Sequence, residues 1–228
     1  MPGPLKQLRS SGFVLELVVF GCGAIVMVYE IIGSRIVAPF IGASTYVWTS
    51  LIGVILGALS VGYWLGGRLA DQRPDTKILA GLIFGAGGLI SVTILLKDVV
   101  LSFVSAASIG LAWRSVLAAL FLFAPASVAL GMVTPFAVKL RTVSLADTGR
   151  TVGRLYALST VGSIVGTFAA GFFLIPFVGS VRTLYLIAGC LFLLSVTLVS
   201  FAPSRQNIAI IALFLLGVTG SELGSYAV

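Results

Sequence analysis

The stretch Ile78-Leu79-Ala80-Gly81-Leu82-Ile83-Phe84-Gly85-Ala86-Gly87-Gly88-Leu89-Ile90-Ser91-Val92-Thr93-Ile94-Leu95-Leu96 carries no charged side chain. As a helix it would be about 28 Å long, close to the roughly 30 Å hydrocarbon thickness of a bilayer. A soluble helix of that length needs a polar face for water, and this one offers only Ser91 and Thr93. We therefore read it as a membrane span, bracketed by Lys77 and Lys97.

Similar apolar runs lie on both sides of it. With it they give candidate spans at 13–37, 46–69, 77–96, 114–138, 153–177, 181–202 and 206–226. The expected fold is an all-α integral membrane bundle of about six or seven transmembrane helices, half-facilitator-like. Residues 1–12 form a cytoplasmic N-terminal segment, and 13–228 a single polytopic domain. The segment 98–112 is apolar but short and bears Ser102, Ser105 and Ser108. It is expected to be re-entrant or interfacial, or to extend span 4. The final run stops at Val228 without a polar tail, which we read as a truncated chain or one whose next domain is missing.

Composition agrees. The chain is 59% hydrophobic and 9% charged, whereas soluble domains are about 25% charged. The first run is too long for a cleavable signal peptide and carries Glu16 and Glu30. The net charge of +7 comes from short loops between spans, with no basic patch interleaved with exposed aromatics, so nucleic acid is not an expected partner. With the N-terminus inside, ten Lys and Arg fall in inner segments and four (Arg35, Lys97, Arg114 and Arg182) in outer ones. That asymmetry places the N-terminus in the cytoplasm of a multi-pass protein of the inner (plasma) membrane.

Histidine is absent, which removes His-based metal sites and Ser-His or Cys-His catalysis. Cys22 and Cys190 lie in apolar runs and make no Cys-x-x-Cys pair. Gly85-Ala86-Gly87-Gly88 sits inside an apolar helix with no preceding strand, so it is no nucleotide loop. No cofactor is expected.

The polar residues inside the spans are the candidate site. Glu16 and Glu30 are fourteen residues apart, close to four turns, and share a face of span 1 with Phe20, Gly23, Met27 and Ser34. A carboxylate at that depth costs about 2.5–3.5 kcal/mol or more unless paired or hydrated. Glu16 is expected near the inner interface in contact with solvent. Glu30 is deeper, with Tyr29 and Arg35 as candidate partners; a direct Glu30–Arg35 pair needs a helix break near Gly33-Ser34, because residues five apart do not share a face. In span 5, Tyr156, Thr160, Ser163 and Thr167 follow 4-3-4 spacing, with Ser159 beside them. That stripe is expected to face the bundle, as interhelical glue or a ligand wall. Small residues four apart (Gly53/Gly57, Ala58/Gly62/Gly66, Gly81/Gly85 and Gly162/Gly166/Ala170) are expected to let helices approach closely. Tyr46, Trp48 and Trp64 suit an aromatic belt. Among Pro39, Pro125, Pro135 and Pro176, Pro125 is mid-span and should kink span 4, freeing a carbonyl.

Two blocks carry a family resemblance. One runs Tyr29-Glu30-Ile31-Ile32-Gly33-Ser34-Arg35-Ile36-Val37-Ala38-Pro39-Phe40-Ile41-Gly42, then through Tyr46-Val47-Trp48 to Gly62-Tyr63-Trp64-Leu65-Gly66-Gly67-Arg68-Leu69-Ala70-Asp71. The other runs from Gly153-Arg154-Leu155-Tyr156 through Gly162-Ser163-Ile164-Val165-Gly166-Thr167 to Pro176. Together they resemble the membrane domain of fused, membrane-bound spermidine synthase-like proteins. The resemblance implies a neighbouring soluble aminopropyltransferase-like domain, Rossmann-like and using decarboxylated S-adenosylmethionine, as a domain or partner. Its catalytic and cofactor residues have no counterpart in this chain, so no enzymatic activity carries over. Gly67, Leu69, Ala70 and Asp71 also resemble the loop after helix 2 of the major facilitator superfamily, with Pro74 and Asp75 standing where that pattern has Gly and Arg. Asp71 is then expected to cap a helix or pair with Arg73 or Arg150, with Arg154 in the same inner group.

These readings lead to a non-catalytic membrane domain that anchors or scaffolds a partner and binds or passes a cationic, polyamine-like ligand. The alternatives are a half-size facilitator-like transporter acting as a homodimer, and an accessory subunit of a larger membrane complex. The candidate ligand residues are Glu30, Tyr29, Arg35, Tyr156, Thr160 and Ser163; Gly67, Asp71, Arg73, Arg150 and Arg154 form the loop group.

Overall fold

The breaks between helices fall where the sequence supplies them. A computed structural model of the chain describes residues 4–142 and 147–199, with side chains described for 12–142 and 147–198. The expected span at 206–226, and Arg205, lie outside the described residues. Helix α1 runs Pro4–Ile41 and ends at Gly42, whose φ of 97° favours glycine. Helix α2 (Thr45–Gln72) is capped by Ser44, and α3 (Thr76–Ala106) by Asp75, whose Oδ1 accepts from the Lys77 amide at 2.9 Å. The fourth span is broken into α4 (Leu111–Leu122), α5 (Ala124–Gly131) and α6 (Val133–Arg141). Helix α7 (Thr148–Ala169) continues as a π-helical segment, Ala170–Val178, that contains Pro176, and α8 is Ser180–Val199. No strand occurs among the described residues.

Five of these helices are long and apolar enough to cross a membrane, or six if the bent pair of α4 with α5–α6 is counted as one span, among the described residues. The bend is 52° at Phe123, two residues before Pro125. A proline ring clashes with the preceding turn and removes a donor, so a kink here follows from sequence. The carbonyl of Leu122 that the break releases accepts from Thr93 Oγ1 at 2.7 Å and from the Tyr29 hydroxyl at 3.0 Å. In lipid a freed backbone group must find such a partner.

Helix α1 packs most closely along α7, α3 along α8, and α2 along the broken span α4–α6. Glycine makes the first and third contacts possible. A Cβ on Gly162 would collide with the Phe20 carbonyl oxygen, and one on Gly166 with that of Ala24. A Cβ on Gly66 would lie 2.6 Å from Met132 Cα. Of the four small-residue sets expected to pack, the pairs Gly53/Gly57 and Gly81/Gly85 have open space instead, because they point away from these seams.

Segment 98–112 also differs from expectation. Residues 98–106 are neither re-entrant nor part of span 4; they continue α3. No Gly or Pro interrupts them, and Ser105 Oγ donates to the Ser102 carbonyl at 3.0 Å, which keeps its hydroxyl satisfied within the helix. Helix α1 likewise passes through Gly33-Ser34 without a break, so the geometry required for a Glu30–Arg35 pair is missing.

Candidate functional site

Depth separates the two acids of α1. The span Gly12–Ile41 has thirty residues. At 1.5 Å per residue Glu30 lies about 5 Å from its midpoint and Glu16 about 16 Å, against a hydrocarbon half-thickness of about 15 Å. In a bilayer centred on this span, Glu30 falls at hydrocarbon depth and Glu16 at its edge.

Glu30 opens into a cavity of about 200 Å³ between α1, α2, the broken fourth span and α7. Met27 and Gly23 line it from α1, Tyr63 from α2, Thr134 from α6, and Ser159 and Ser163 from α7. Since a water takes about 30 Å³, the space holds several waters or a slender ligand. Ser163 Oγ donates to the Gly23 carbonyl at 3.1 Å, tying α7 to α1 at the cavity wall. Glu30 makes no hydrogen bond or ion pair to any described residue, and it is only half buried.

The other candidate ligand residues are placed elsewhere. Tyr29 is fully buried, with its hydroxyl on Thr93 Oγ1 and the Leu122 carbonyl and its ring 5.1 Å from that of Phe123. Arg35 is exposed and pairs with no described acid. Tyr156 and Thr160 lie on the exposed face of α7, where Thr160 Oγ1 donates back to the Tyr156 carbonyl at 3.0 Å. The polar stripe of span 5 is thus split. Only Ser163 and its neighbour Ser159 reach the cavity. The reason is angular. At about 100° per residue, Ser159 and Ser163 lie about 40° and 80° from the packed edge midway between Gly162 and Gly166, and Tyr156 and Thr160 about 100° and 140°.

Glu16 is not left to solvent as expected. Arg154 Nη2 donates to its Oε2 at 2.9 Å, and Arg141 Nη2 lies 3.5 Å from its Oε1. Asp71 pairs with neither Arg73 nor Arg150. Its Oδ1 accepts from Lys139 Nζ at 2.6 Å, which joins the end of α2 to α6; Asp75, not Asp71, caps α3. Arg73 is exposed, its backbone amide closing α2 on the Leu69 carbonyl at 2.9 Å, and Gly67 has open space beside it. Arg150 lies beside Glu16 in a second cavity at this end of the bundle.

Tyr63, Thr134 and Lys139 were not singled out from sequence. Tyr63 had a signal, since Leu56, Leu59 and Tyr63 follow helical 3-4 spacing on one face of α2. Thr134 and Lys139 had none, because the break at Phe123 resets the phase of the fourth span. Comparison of the chain with protein-family models, with curated proteins and with solved structures finds no match.

Proposed function

We propose that this chain is a non-catalytic, multi-pass membrane unit that binds a small organic cation, of the polyamine class, against Glu30. One observation carries the reading: a carboxylate at hydrocarbon depth, without a protein partner among the described residues, faces a cavity lined by hydroxyls. An intramembrane acid is expensive unless something neutralises or hydrates it. Tyr63, Thr134, Ser159 and Ser163 supply oxygens that can accept from ammonium groups, and Met27, Leu56 and Leu59 supply apolar wall for the methylenes between them. Thermal stability in detergent should rise with spermidine for the wild type and not for Glu30→Gln, which keeps shape and removes charge. A wild type that responds to neither spermidine, putrescine nor any simple cation would sink the reading.

A second reading, a half-size transporter that works as a homodimer, draws on a separate observation. Of the five unbroken spans, α2 and α7, which flank the cavity, are the least covered, 33% and 17% buried. Their open faces carry Ser60, Tyr63, Tyr156 and Thr160, polar groups that a bare lipid contact suits poorly. The helix pairing also supports it. Spans 1 with 5, 2 with 4 and 3 with 6 are the most extensive contacts. An inverted repeat relating spans 1–3 to spans 4–6 would exchange the first two pairs and map the third onto itself, the internal symmetry common in secondary transporters. Spermidine uptake into liposomes separates this reading from binding alone.

A further inference from the structure

We propose that the cavity at the Glu16 end of α1 binds a phosphate group, presented by an anionic lipid headgroup or by a free phosphate. The cavity has a volume of about 310 Å³ and lies between α1, the last residue of α6 and the first two turns of α7. Glu16, Arg141, Asp147, Arg150, Thr151 and Arg154 line it, so three guanidinium groups face two carboxylates. Glu16 is already engaged, one oxygen by Arg154 and the other by Arg141. Arg150 has no hydrogen bond or ion pair to a described residue. The described lining is therefore one positive charge in excess, and that charge is held by no described residue.

Geometry favours a tetrahedral oxyanion over a diffuse surface charge. The Arg141 guanidinium lies directly against Gly12, where a Cβ would collide with it, so the small residue seats the arginine at the cavity. Arg141 touches Glu16 only at 3.5 Å, which leaves most of its five N–H donors without a partner among the described residues. Two forked guanidinium groups with the Thr151 hydroxyl between α6 and α7 can grip several phosphate oxygens at once. The depth fits as well. Glu16 is at the edge of the hydrocarbon, the level of lipid phosphates, at the end of the bundle that the Lys/Arg excess assigns to the cytoplasm. Basic pockets between spans at that level take anionic headgroups.

The test is thermal stability of the purified full chain in neutral detergent. Three additives are compared: phosphatidylglycerol, phosphatidylcholine, and inorganic phosphate at ionic strength matched with chloride. The variants are Arg150→Gln, Arg150→Lys and, as a control, Arg73→Gln, which removes an equal charge at the same end but outside the cavity. Phosphatidylglycerol should raise the wild-type melting temperature and phosphatidylcholine should not. Arg150→Gln should lose most of that shift, Arg150→Lys should keep part of it, and Arg73→Gln should keep all of it. A shift with phosphatidylglycerol alone assigns the site to a lipid. A shift with inorganic phosphate that Arg150→Gln also abolishes assigns it to a free phosphate. No shift with either additive, a full shift in Arg150→Gln, or an equal loss in Arg73→Gln overturns the proposal.

Discussion

Glu16 and Glu30 are the same residue type on the same face of the same helix, and the bundle treats them in opposite ways. Glu16, at the hydrocarbon edge, is held by two arginines from α6 and α7. Glu30, about 21 Å further along the helix, faces hydroxyls and an open cavity with no cation among the described residues. Charge is spent where the membrane asks least for it. A lone acid left at depth is what a site for an incoming cation requires, and a paired acid at the edge is what a fixed helix end requires. The difference teaches that acidity within a span is no guide to role until its partners from other helices are known.

The largest effect should come from the seam that holds both acids in place. Helices α1 and α7 meet at Gly162 and Gly166 against the backbone of Phe20 and Ala24. Gly162→Leu puts a side chain into a carbonyl oxygen, which cannot rotate away as a flexible side chain could. Overpacking costs about 1–3 kcal/mol and occasionally more, and a backbone collision belongs at the upper end. The variant should melt far below the wild type and lose its response to spermidine. An unchanged melting temperature would mean that the seam is not there, and the placement of Ser159, Ser163 and Arg154 around both acids would fall with it.

Next come the acids themselves. Glu16→Gln leaves Arg141 and Arg154 with a neutral acceptor. Breaking a buried pair costs about 3–5 kcal/mol and an exposed one about 0–1. With Glu16 largely covered but Arg154 mostly exposed, a loss of about 1 kcal/mol is expected. Glu30→Gln breaks no contact to a described residue and removes a charge from hydrocarbon depth, so its melting temperature should equal or exceed that of the wild type. Equal losses for the two variants would erase the contrast and show that Glu30 has a structural partner.

The long apolar helices and the stripe shared by Glu16 and Glu30 were legible in sequence, because apolar run length and the 3.6-residue period are local properties; the seventh expected run, 206–226, lies outside the described residues. The kink at Pro125 was legible for the same reason. Partners were not. Arg154 comes to Glu16 from 138 residues away, and Lys139 to Asp71 from 68. Proximity in sequence instead pointed to Arg73 for Asp71 and to Arg35 for Glu30. The stripe of α7 failed more subtly. Its spacing was read correctly, but only the contact of Gly162 with Phe20 fixes which way it faces, and that leaves Tyr156 and Thr160 outside.

The last effect tests a third polar residue, the neighbour of Glu30. Sequence groups Tyr29 with Glu30 as a ligand residue, and the structure puts it on the other side of α1, serving the broken fourth span. Tyr29 and Thr93 both donate to the Leu122 carbonyl, at 3.0 and 2.7 Å, and lie 3.0 Å from each other. Removing one donor leaves the carbonyl the other, so Tyr29→Phe and Thr93→Val should each cost about 1 kcal/mol. Removing both leaves a buried carbonyl without either donor, and that penalty should exceed the sum of the single losses. The cycle is measured by unfolding in detergent. Because neither residue lines the Glu30 cavity, both single variants should keep the full response to spermidine. Strict additivity would show that the released carbonyl is satisfied by some other group. A lost spermidine response in Tyr29→Phe, at unchanged stability, would return Tyr29 to the ligand site and shift the boundary between the two kinds of polar group that α1 carries.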